Sequence, residues 1–257
     1  MHIGRFKYNR STFYGLVEGD TVRELNNDIY HEFSTGSKEY QLKNLIILPP
    51  SHPAKVVLVG LNYRDHAKEL NFSIPEEPVI FIKPSTTVIG PGEPILYPDI
   101  SRQVEYEAEL AFLIKKECYR VKQENAGEYI LGYTCLNDVT ARDIQKKDGQ
   151  WTRAKGFDTF CPVGPFIYIP AKDFDPHNLR IRAILNRETR QDSNTNNLIF
   201  NINYLVQFIS SVMRLFPGDI ISTGTPAGVG PMQPGDEITV EIEKVGKLVN
   251  PVVKAGK

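Results

Sequence analysis

The stretch that most constrains the fold is residues 104–114, where polar and apolar residues first alternate and an unbroken apolar run follows. Alternation at every second position predicts an extended strand, because successive side chains of a strand point to opposite faces. Glu105, Glu107 and Glu109 then share one face. The apolar end is typical of a strand covered on both faces. We therefore expect three carboxylates at the edge of a buried core.

Such a row of carboxylates allows two interpretations. Like charges a few ångströms apart raise each other's pKa values, and a bound cation removes that repulsion. Alternatively, the strand lies at a sheet edge and its glutamates face water, since acidic side chains are rarely buried without a partner. The apolar sequence after Glu109 favours the cation-binding interpretation.

Length and composition are those of a soluble globular protein: 257 residues, 41% hydrophobic residues and a formal net charge of −1. No basic excess marks a nucleic-acid surface, so nucleic acid is not expected as a partner. No segment approaches the roughly 20 apolar residues that span a bilayer, and no signal peptide is recognisable. These features predict a cytoplasmic protein without membrane contact. Three cysteines without C-x-x-C spacing indicate neither a disulfide framework nor a zinc site.

The order of segments predicts a small N-terminal β-domain, residues 1–50, followed by a large domain, residues 51–257. Short alternating strands before residue 45 lead into a proline-rich joint at residues 48–53. In the larger part, only residues 202–215 show the three- and four-residue spacing of a longer helix. Many short strands with few helices predict a mainly β, mixed architecture rather than a doubly wound sheet.

Asp138 is a candidate partner for the strand glutamates because it ends an apolar strand. By itself Asp138 could equally cap the helical turn that follows. With two of the glutamates it would form an all-oxygen site of three carboxylates. Such a site suits Mg²⁺ or Mn²⁺ and disfavours zinc.

Other polar groups suggest acid–base chemistry. His66 and Glu69 stand three residues apart, so a helical turn would place them side by side as a candidate general base. A surface ion pair is the alternative. Lys155, beside the chain's only tryptophan, would either stabilise developing negative charge or extend into solvent. Residues 223–228 lack the phosphate-loop pattern, but their N–H groups could hold a carboxylate.

Five blocks of the sequence resemble, in order, the fumarylacetoacetate hydrolase family: residues 60–66, 106–110, 137–143, 155–159 and 223–230. The resemblance spans about residues 55–253, and the N-terminal strands resemble the small β-domain of many prokaryotic members. It implies a mixed β-sandwich roll with a few short helices, usually in a homodimer. It also implies a metal-dependent enzyme that acts on small 2-oxo acids or 1,3-diketones.

The resemblance further implies roles for the candidate residues. Metal ligands are implied for three of them: Glu107, Glu109 and Asp138. Glu105 is left as a supporting or structural residue. A water-activating pair and a charge-stabilising lysine are implied for His66, Glu69 and Lys155. Substrate contacts are implied for Arg142, Gln145 and Thr225.

The reactions of the family include C–C hydrolysis of acylpyruvates and decarboxylation or tautomerisation of oxaloacetate. They also include isomerase and decarboxylase steps on 2-hydroxyhepta-2,4-diene-1,7-dioate and its precursors in aromatic catabolism. All would pass through an enolate stabilised by Mg²⁺ or Mn²⁺. The sequence does not choose among them, and it leaves open a hydratase or a non-catalytic binding protein. The further metal-binding aspartate of the fumarylacetoacetate-cleaving branch has no clear counterpart, which argues against that substrate. Residues 64–78, charged and ending in proline, are interpreted as a lid.

Overall fold

Twenty strands and four short α-helices occupy residues 1–69 and 71–256, the part of the chain that the computed structural model describes. Leu70, in the predicted lid, and Lys257, the end of the predicted second domain, lie outside it. The elements of the first half are β1 (His2–Tyr8), β2 (Ser11–Glu18), β3 (Thr21–Leu25), β4 (Thr35–Gln41), β5 (Ile46–Leu48), β6 (Val56–Gly60), α1 (Arg64–Glu69), β7 (Val79–Lys83), β8 (Val88–Ile89), β9 (Ile95–Tyr97), β10 (Val104–Tyr106) and β11 (Ala108–Ile114).

The second half contains the longest helix, α4, and nine further strands. Its elements are β12 (Ile130–Asn137), β13 (Thr140–Ala141), α2 (Arg142–Asp148), α3 (Thr152–Lys155), β14 (Cys161–Tyr168), β15 (Arg180–Leu185), β16 (Glu188–Asn194), α4 (Ile202–Val212), β17 (Ile220–Ser222), β18 (Gly230–Met232), β19 (Glu237–Ile242) and β20 (Gly246–Lys254). Short 3₁₀ turns occupy Leu42–Asn44, Ser85–Thr87, Gln123–Tyr129 and Thr195–Asn197.

The strands form three sheets. The largest has twelve strands in the order β4-β3-β2-β1-β14-β12-β11-β17-β6-β7, with β5 beside β1 and β8 beside β14. A five-stranded sheet follows the order β16-β15-β19-β20-β9, and a three-stranded sheet the order β13-β10-β18. The prediction of a mainly β fold with a few short helices is confirmed.

Strand β11 lies at the centre of the molecule because layers cover both of its faces. Phe112 belongs to a large buried cluster that includes Val240 of the five-stranded sheet. Leu113, which points the opposite way, belongs to a second cluster that includes Ile3 and Leu25. Strand β1 also pairs directly with β14. The N-terminal strands therefore extend the main sheet and help to cover β11.

The prediction of one continuous strand over residues 104–114 is wrong at Glu107. Strand β10 pairs with β13 and β18, whereas β11 pairs with β12 and β17 in the large sheet. The Glu107 N–H donates to Asn137 Oδ1 at 3.0 Å, and its carbonyl accepts from the Asp138 N–H at 2.9 Å. These bonds turn the chain from one sheet into the other and leave Glu107 at the junction.

Helix α4 confirms the predicted long helix but ends at Val212, three residues before the predicted end. Asn201 caps it by accepting from the Tyr204 N–H at 2.9 Å. Met213 is already extended, and Leu215 bridges to Cys118 as a short antiparallel contact. No helix of residues 1–69 and 71–256 is long and apolar enough to cross a membrane.

Candidate active site

The three predicted metal ligands lie where two neighbouring strands end. Glu107 stands at the β10–β11 junction, Glu109 lies on β11, and Asp138 follows β12, the antiparallel partner of β11. One carboxylate oxygen from each residue lies within 4.8 Å of the others, and all three side chains are buried. Neither alternative from the sequence, glutamates facing water or Asp138 as a helix cap, describes this arrangement.

Two cations surround Glu107. Lys155 Nζ lies 3.2 Å from its Oε2, and the Arg142 guanidinium donates to its Oε1. Arg142 Nε also donates to Glu105 Oε2 at 2.7 Å, so Glu105 supports Arg142. Burial opposes ionisation of Glu107, but the charges of Lys155 and Arg142 outweigh burial and lower the pKa of Glu107 below its ordinary value. Glu107 is therefore a fixed anion.

Glu109 has the opposite electrostatic environment. Its burial, together with repulsion from Asp138 and Glu107, raises its pKa well above the ordinary value. The Ser222 hydroxyl and the Gly224 N–H, the latter at 3.0 Å, both donate to Oε2. Strand β17 and the loop after it therefore fix the orientation of this carboxyl.

Asp138 is held by two buried lysines. Lys155 Nζ donates to Oδ2, and Lys83 Nζ lies 2.6 Å from Oδ1. Lys83 is fully buried at the end of β7 and also donates to the carbonyls of Val139, at 2.9 Å, and Phe160. Burial lowers the pKa of Lys155, but Asp138 and Glu107 raise it above the ordinary value, so Lys155 stays protonated.

His66 and Glu69 form the predicted pair on α1. His66 Nδ1 lies 3.0 Å from Glu69 Oε2, and the Gly228 N–H donates to Glu69 Oε1 at 3.1 Å. Gly228 has a φ of +95°, and a Cβ there would lie 2.4 Å from the Arg190 carbonyl oxygen, so the close approach requires glycine. His66 is buried while Glu69 is exposed, which distinguishes the pair from an incidental surface contact.

The side chains of Thr225 and Gln145 line the cavity, and both also form hydrogen bonds with other residues of the protein. The Thr225 hydroxyl donates to the Ala108 carbonyl at 2.9 Å and accepts from Gln191 Nε2 at 2.9 Å. Gln191, fully buried on β16, also accepts from the Ala108 N–H at 2.9 Å. Gln145 Oε1 accepts from Arg142. The loop over residues 223–228 does hold carboxylates through its N–H groups, namely those of Glu109 and Glu69 of this chain.

These side chains surround one cavity of about 280 Å³. Every predicted site residue except Glu69 lines it. Glu69 does not line the cavity but is hydrogen-bonded to His66, which does. Apolar side chains form much of the remaining wall: Val59, Leu61, Phe72, Phe81 and Trp151. Trp151 packs directly on Gly60, where a Cβ would lie 2.7 Å from its ring. The cavity thus has a carboxylate side and an aromatic side.

The donor set fits a hard divalent ion. All three clustered groups are carboxylates, with no cysteine or histidine among them, which is the ligand chemistry of Mg²⁺ or Mn²⁺ rather than zinc. A three-carboxylate site also leaves coordination positions for a substrate or water. The buried, mutually repelling oxygens supply the reason to bind a cation.

Two family models match the chain. One, described as fumarylacetoacetate (FAA) hydrolase, C-terminal, covers residues 55–253, and the other, described as Rv2993c-like, N-terminal, covers residues 1–50. The chain belongs to the fumarylacetoacetate hydrolase family. The resemblance seen in the five sequence blocks is therefore confirmed.

Similar proteins of the fumarylacetoacetate hydrolase family span archaea, bacteria and animals. An uncharacterised protein of Archaeoglobus fulgidus is 56% identical over 252 residues, 98% of this chain and 96% of the relative. Protein Rv2993c of Mycobacterium tuberculosis is 44% identical over 267 residues and the whole length of both. The mitochondrial oxaloacetate tautomerase fahd2 of Xenopus laevis is 43% identical over 217 residues, 81% of this chain and 68% of the relative.

Solved structures show the same fold. A 2-hydroxyhepta-2,4-diene-1,7-dioate isomerase from Mycobacterium marinum aligns with a TM-score of 0.92 at 42% identity, over 100% of both chains. A maleylpyruvate hydrolase from Sphingobium sp. SYK-6, in complex with manganese(II) and pyruvate, aligns with a TM-score of 0.84 at 30% identity, over 100% of both chains. The protein is thus an enzyme with the family fold, which excludes the non-catalytic interpretation.

Lys83 and Gln191 are site residues that sequence reasoning missed. Lys83 had a recognisable signal, since it is a lysine at the end of the apolar strand over residues 79–83, and a buried charge needs a partner. Gln191 had none, because it lies in the polar stretch of β16 and only the fold brings it to β11.

Proposed function

We propose that this protein is a Mg²⁺- or Mn²⁺-dependent enzyme that converts 2-oxo acids or 1,3-diketo acids by way of an enolate. The observation that carries the proposal is the buried cluster of Glu107, Glu109 and Asp138 with Lys155 beside it. A divalent ion held by these carboxylates would supply Lewis-acid stabilisation of the enolate charge. The remaining chemistry belongs to side chains of the chain itself.

Lys155 is proposed to stabilise negative charge on the substrate. Its ammonium is buried, keeps its proton, and lines the cavity next to the carboxylates. A fixed charge in a water-poor site acts on a developing anion without reorganisation. Arg142 orients Glu107, and Gln145 and Thr225 line the same cavity as proposed substrate contacts.

His66 with Glu69 is proposed to transfer protons. Because Nδ1 is directed to Glu69, Nε2 remains for the substrate or a water, and the carboxylate stabilises the imidazolium that forms. In C–C hydrolysis of an acylpyruvate, His66 would take a proton from a water that attacks the distal carbonyl. The bond to the neighbouring carbon then breaks, giving an acid and the enolate of pyruvate. In tautomerisation the pair would move a proton between carbon and oxygen.

The proposed substrates are acylpyruvates, by hydrolysis, or oxaloacetate-like acids, by decarboxylation or tautomerisation. The names of the similar proteins, an oxaloacetate tautomerase and a maleylpyruvate hydrolase, support these two. The alternative is isomerisation of a 2-hydroxyhepta-2,4-diene-1,7-dioate type of acid, supported by the M. marinum isomerase. We further propose a cytoplasmic homodimer.

A substrate panel tests the proposal. Acetylpyruvate, oxaloacetate and a hydroxymuconate are assayed with Mg²⁺, with Mn²⁺ and with EDTA. We expect turnover of at least one 2-oxo acid that EDTA abolishes and that Glu107→Gln and Asp138→Asn each reduce at least about a hundredfold, since electrostatic stabilisation is a large part of such catalysis. Full activity in EDTA, or in both variants at saturating Mg²⁺, would contradict the metal assignment.

His66→Gln separates the reactions. Hydrolysis needs an activated water, so the variant should lose acylpyruvate cleavage, whereas unassisted decarboxylation of oxaloacetate needs only charge stabilisation and should persist. Equal loss of both activities would contradict a separate role of His66 in water activation.

A further inference from the structure

The cationic side chains that line the cavity differ in how they are neutralised. Arg142 is ion-paired with Glu105 and Glu107, and Lys155 with Glu107 and Asp138. Lys146 lines the same cavity, is exposed, and forms no ion pair with any acidic side chain in the described parts of the chain. It is a positive charge available to a ligand.

Helix α2 determines where this charge lies. Arg142, Gln145 and Lys146 occupy positions i, i+3 and i+4, so they share the face of α2 that meets the cavity. Arg142 contacts Glu107 at the carboxylate side. Lys146 lies four residues further on, about 6 Å along the helix axis, and its flexible side chain adds to that reach.

Aromatic side chains form part of the same cavity wall. Phe81 and Trp151 pack edge to face with ring centroids 5.2 Å apart, and both line the cavity. A ligand that enters therefore meets three kinds of group: carboxylates with Lys155, aromatic rings, and the ammonium of Lys146. The volume, about 280 Å³, suits a short acid.

We propose that Lys146 determines substrate specificity by binding the distal carboxylate of a short 2-oxo dicarboxylic acid. The inference rests on the proposed function, because it takes the 2-oxo acid end to lie at the carboxylate cluster. Lys146 then selects diacids over monoacids of equal length. Its ammonium replaces water around the distal carboxylate with a charge-assisted hydrogen bond.

Matched ligands test this inference. 2-Oxoglutarate and 2-oxovalerate have the same five-carbon chain and differ only in a distal carboxylate or methyl group. Neither contains the β-dicarbonyl unit whose C–C bond the proposed enzyme would break, so their binding can be measured at equilibrium. The affinity of each is measured by calorimetry with saturating Mg²⁺ for the parent protein, Lys146→Met, Lys146→Arg and the control Lys147→Met. Lys147 is an exposed neighbour on α2 outside the cavity lining.

We expect Lys146→Met to weaken 2-oxoglutarate binding about tenfold, which corresponds to one charge-assisted hydrogen bond. Binding of 2-oxovalerate should change less than about twofold, since no charged group of that ligand reaches Lys146. Lys146→Arg keeps the charge and should retain most of the preference, and Lys147→Met should resemble the parent.

Two results would overturn the inference and leave the proposed function intact. One is an unchanged 2-oxoglutarate affinity in Lys146→Met, and the other is an equal loss for both ligands. A parent protein that binds neither acid in the presence of Mg²⁺ would instead contradict the 2-oxo acid site itself, and the inference with it.

Discussion

Lys83 is the residue whose environment is most unusual, because a full positive charge is buried without any exposure. Its ammonium donates to the carbonyls of Val139 and Phe160 and forms an ion pair with Oδ1 of Asp138. Removal of one partner from a buried ion pair costs about 3–5 kcal/mol, and without Lys83 the carboxylate of Asp138 would keep only Lys155 as a cation. Lys83→Met should lower the free energy of unfolding in urea by that amount.

The double variant provides the control for Lys83→Met. Lys83→Met combined with Asp138→Asn should be less destabilised than Lys83→Met alone, because Asp138 no longer carries the charge that Lys83 neutralises and Lys155 keeps Glu107 as its partner. Lys172→Met, at an exposed lysine, should change stability by less than about 0.5 kcal/mol. A Lys83→Met protein as stable as the parent would show that Asp138 does not depend on this charge.

Glu109 predicts a pH dependence of the metal-free protein. Burial and the charges of Asp138 and Glu107 raise its folded-state pKa above 4.5, so the folded state holds the proton more tightly than the unfolded chain. The stability contributed by that proton is complete below about pH 4.5 and is lost as the pH rises toward the folded-state pKa. EDTA-treated protein should therefore lose unfolding free energy, relative to Glu109→Gln, as the pH rises above about 4.5.

Glu107 does not obscure this measurement, since its pKa is lowered and it titrates below the same window. Saturating Mg²⁺ should reduce the slope, because an ion at the cluster stabilises ionised Glu109 and competes with its proton. Identical pH profiles of the parent and Glu109→Gln in EDTA would contradict the raised pKa.

The predicted lid has two parts that differ in their contacts with the rest of the protein. Helix α1 forms the first part, and residues 71–78 form the second. Arg64 donates to the Leu198 carbonyl at 2.7 Å, Ser193 donates to Asp65 at 2.5 Å, and Glu69 accepts from Gly228. Residues 71–78, by contrast, are mostly exposed, including Phe72, which lines the cavity. The lid as a whole remains a proposal, with its mobile part placed after α1.

Hydrogen exchange separates the two parts. Amides of residues 64–69 should be protected in the free protein. Amides of residues 71–78 should exchange fast in the free protein, and their exchange rates should fall at least about tenfold with Mg²⁺ and a 2-oxo acid present, since closure orders the backbone. Gly19 and Asp20, in an exposed turn outside the cavity lining, serve as the internal reference. Equal exchange of residues 71–78 with and without ligand would reject the lid.

Elements of this fold differ in how far the sequence predicts them. The sequence pattern predicts Asp138 together with two of the three strand glutamates, because each stands beside an apolar run and this pattern is local. The choice of Glu107 and Glu109 rather than Glu105 came from the family resemblance. The break at Glu107 was not predictable, since the alternation continues through it and only the pairing of β10 with another sheet causes it. Lys83 was missed for the same reason: its partner, Asp138, is brought near by strand order rather than by spacing.

At the scale of the whole molecule, the N-terminal strands share a hydrophobic cluster with the central sheet. Ile3 is fully buried in the cluster that contains Leu113 and Val163. The predicted domain boundary at residue 50 stays a prediction, but this contact indicates that both parts unfold together. Ile3→Ala should then lower the unfolding free energy by about 2–5 kcal/mol, the cost of a cavity in a packed core.

The single tryptophan, Trp151, lies in the larger C-terminal part of the chain. Its fluorescence therefore reports whether the stability lost in Ile3→Ala is also lost in that part. The midpoint followed at Trp151 should fall with the midpoint followed by circular dichroism. Ile46→Ala, at an isoleucine that is 60% exposed, is the matched control and should have little effect. A Trp151 transition that does not move in Ile3→Ala would show that the two parts unfold separately.

The three clustered carboxylates stand on or beside strands of the central sheet, whereas Lys146 and Trp151 come from a short helix and the turn after it. With the proposed roles of Lys146 and the carboxylate cluster, replacements in that peripheral segment would alter which acid is accepted without disturbing the groups proposed to activate it. Divergence of catalytic repertoire in this lineage then needs only a few exchanges outside the folding core, in keeping with one architecture shared by a tautomerase, an isomerase and a hydrolase.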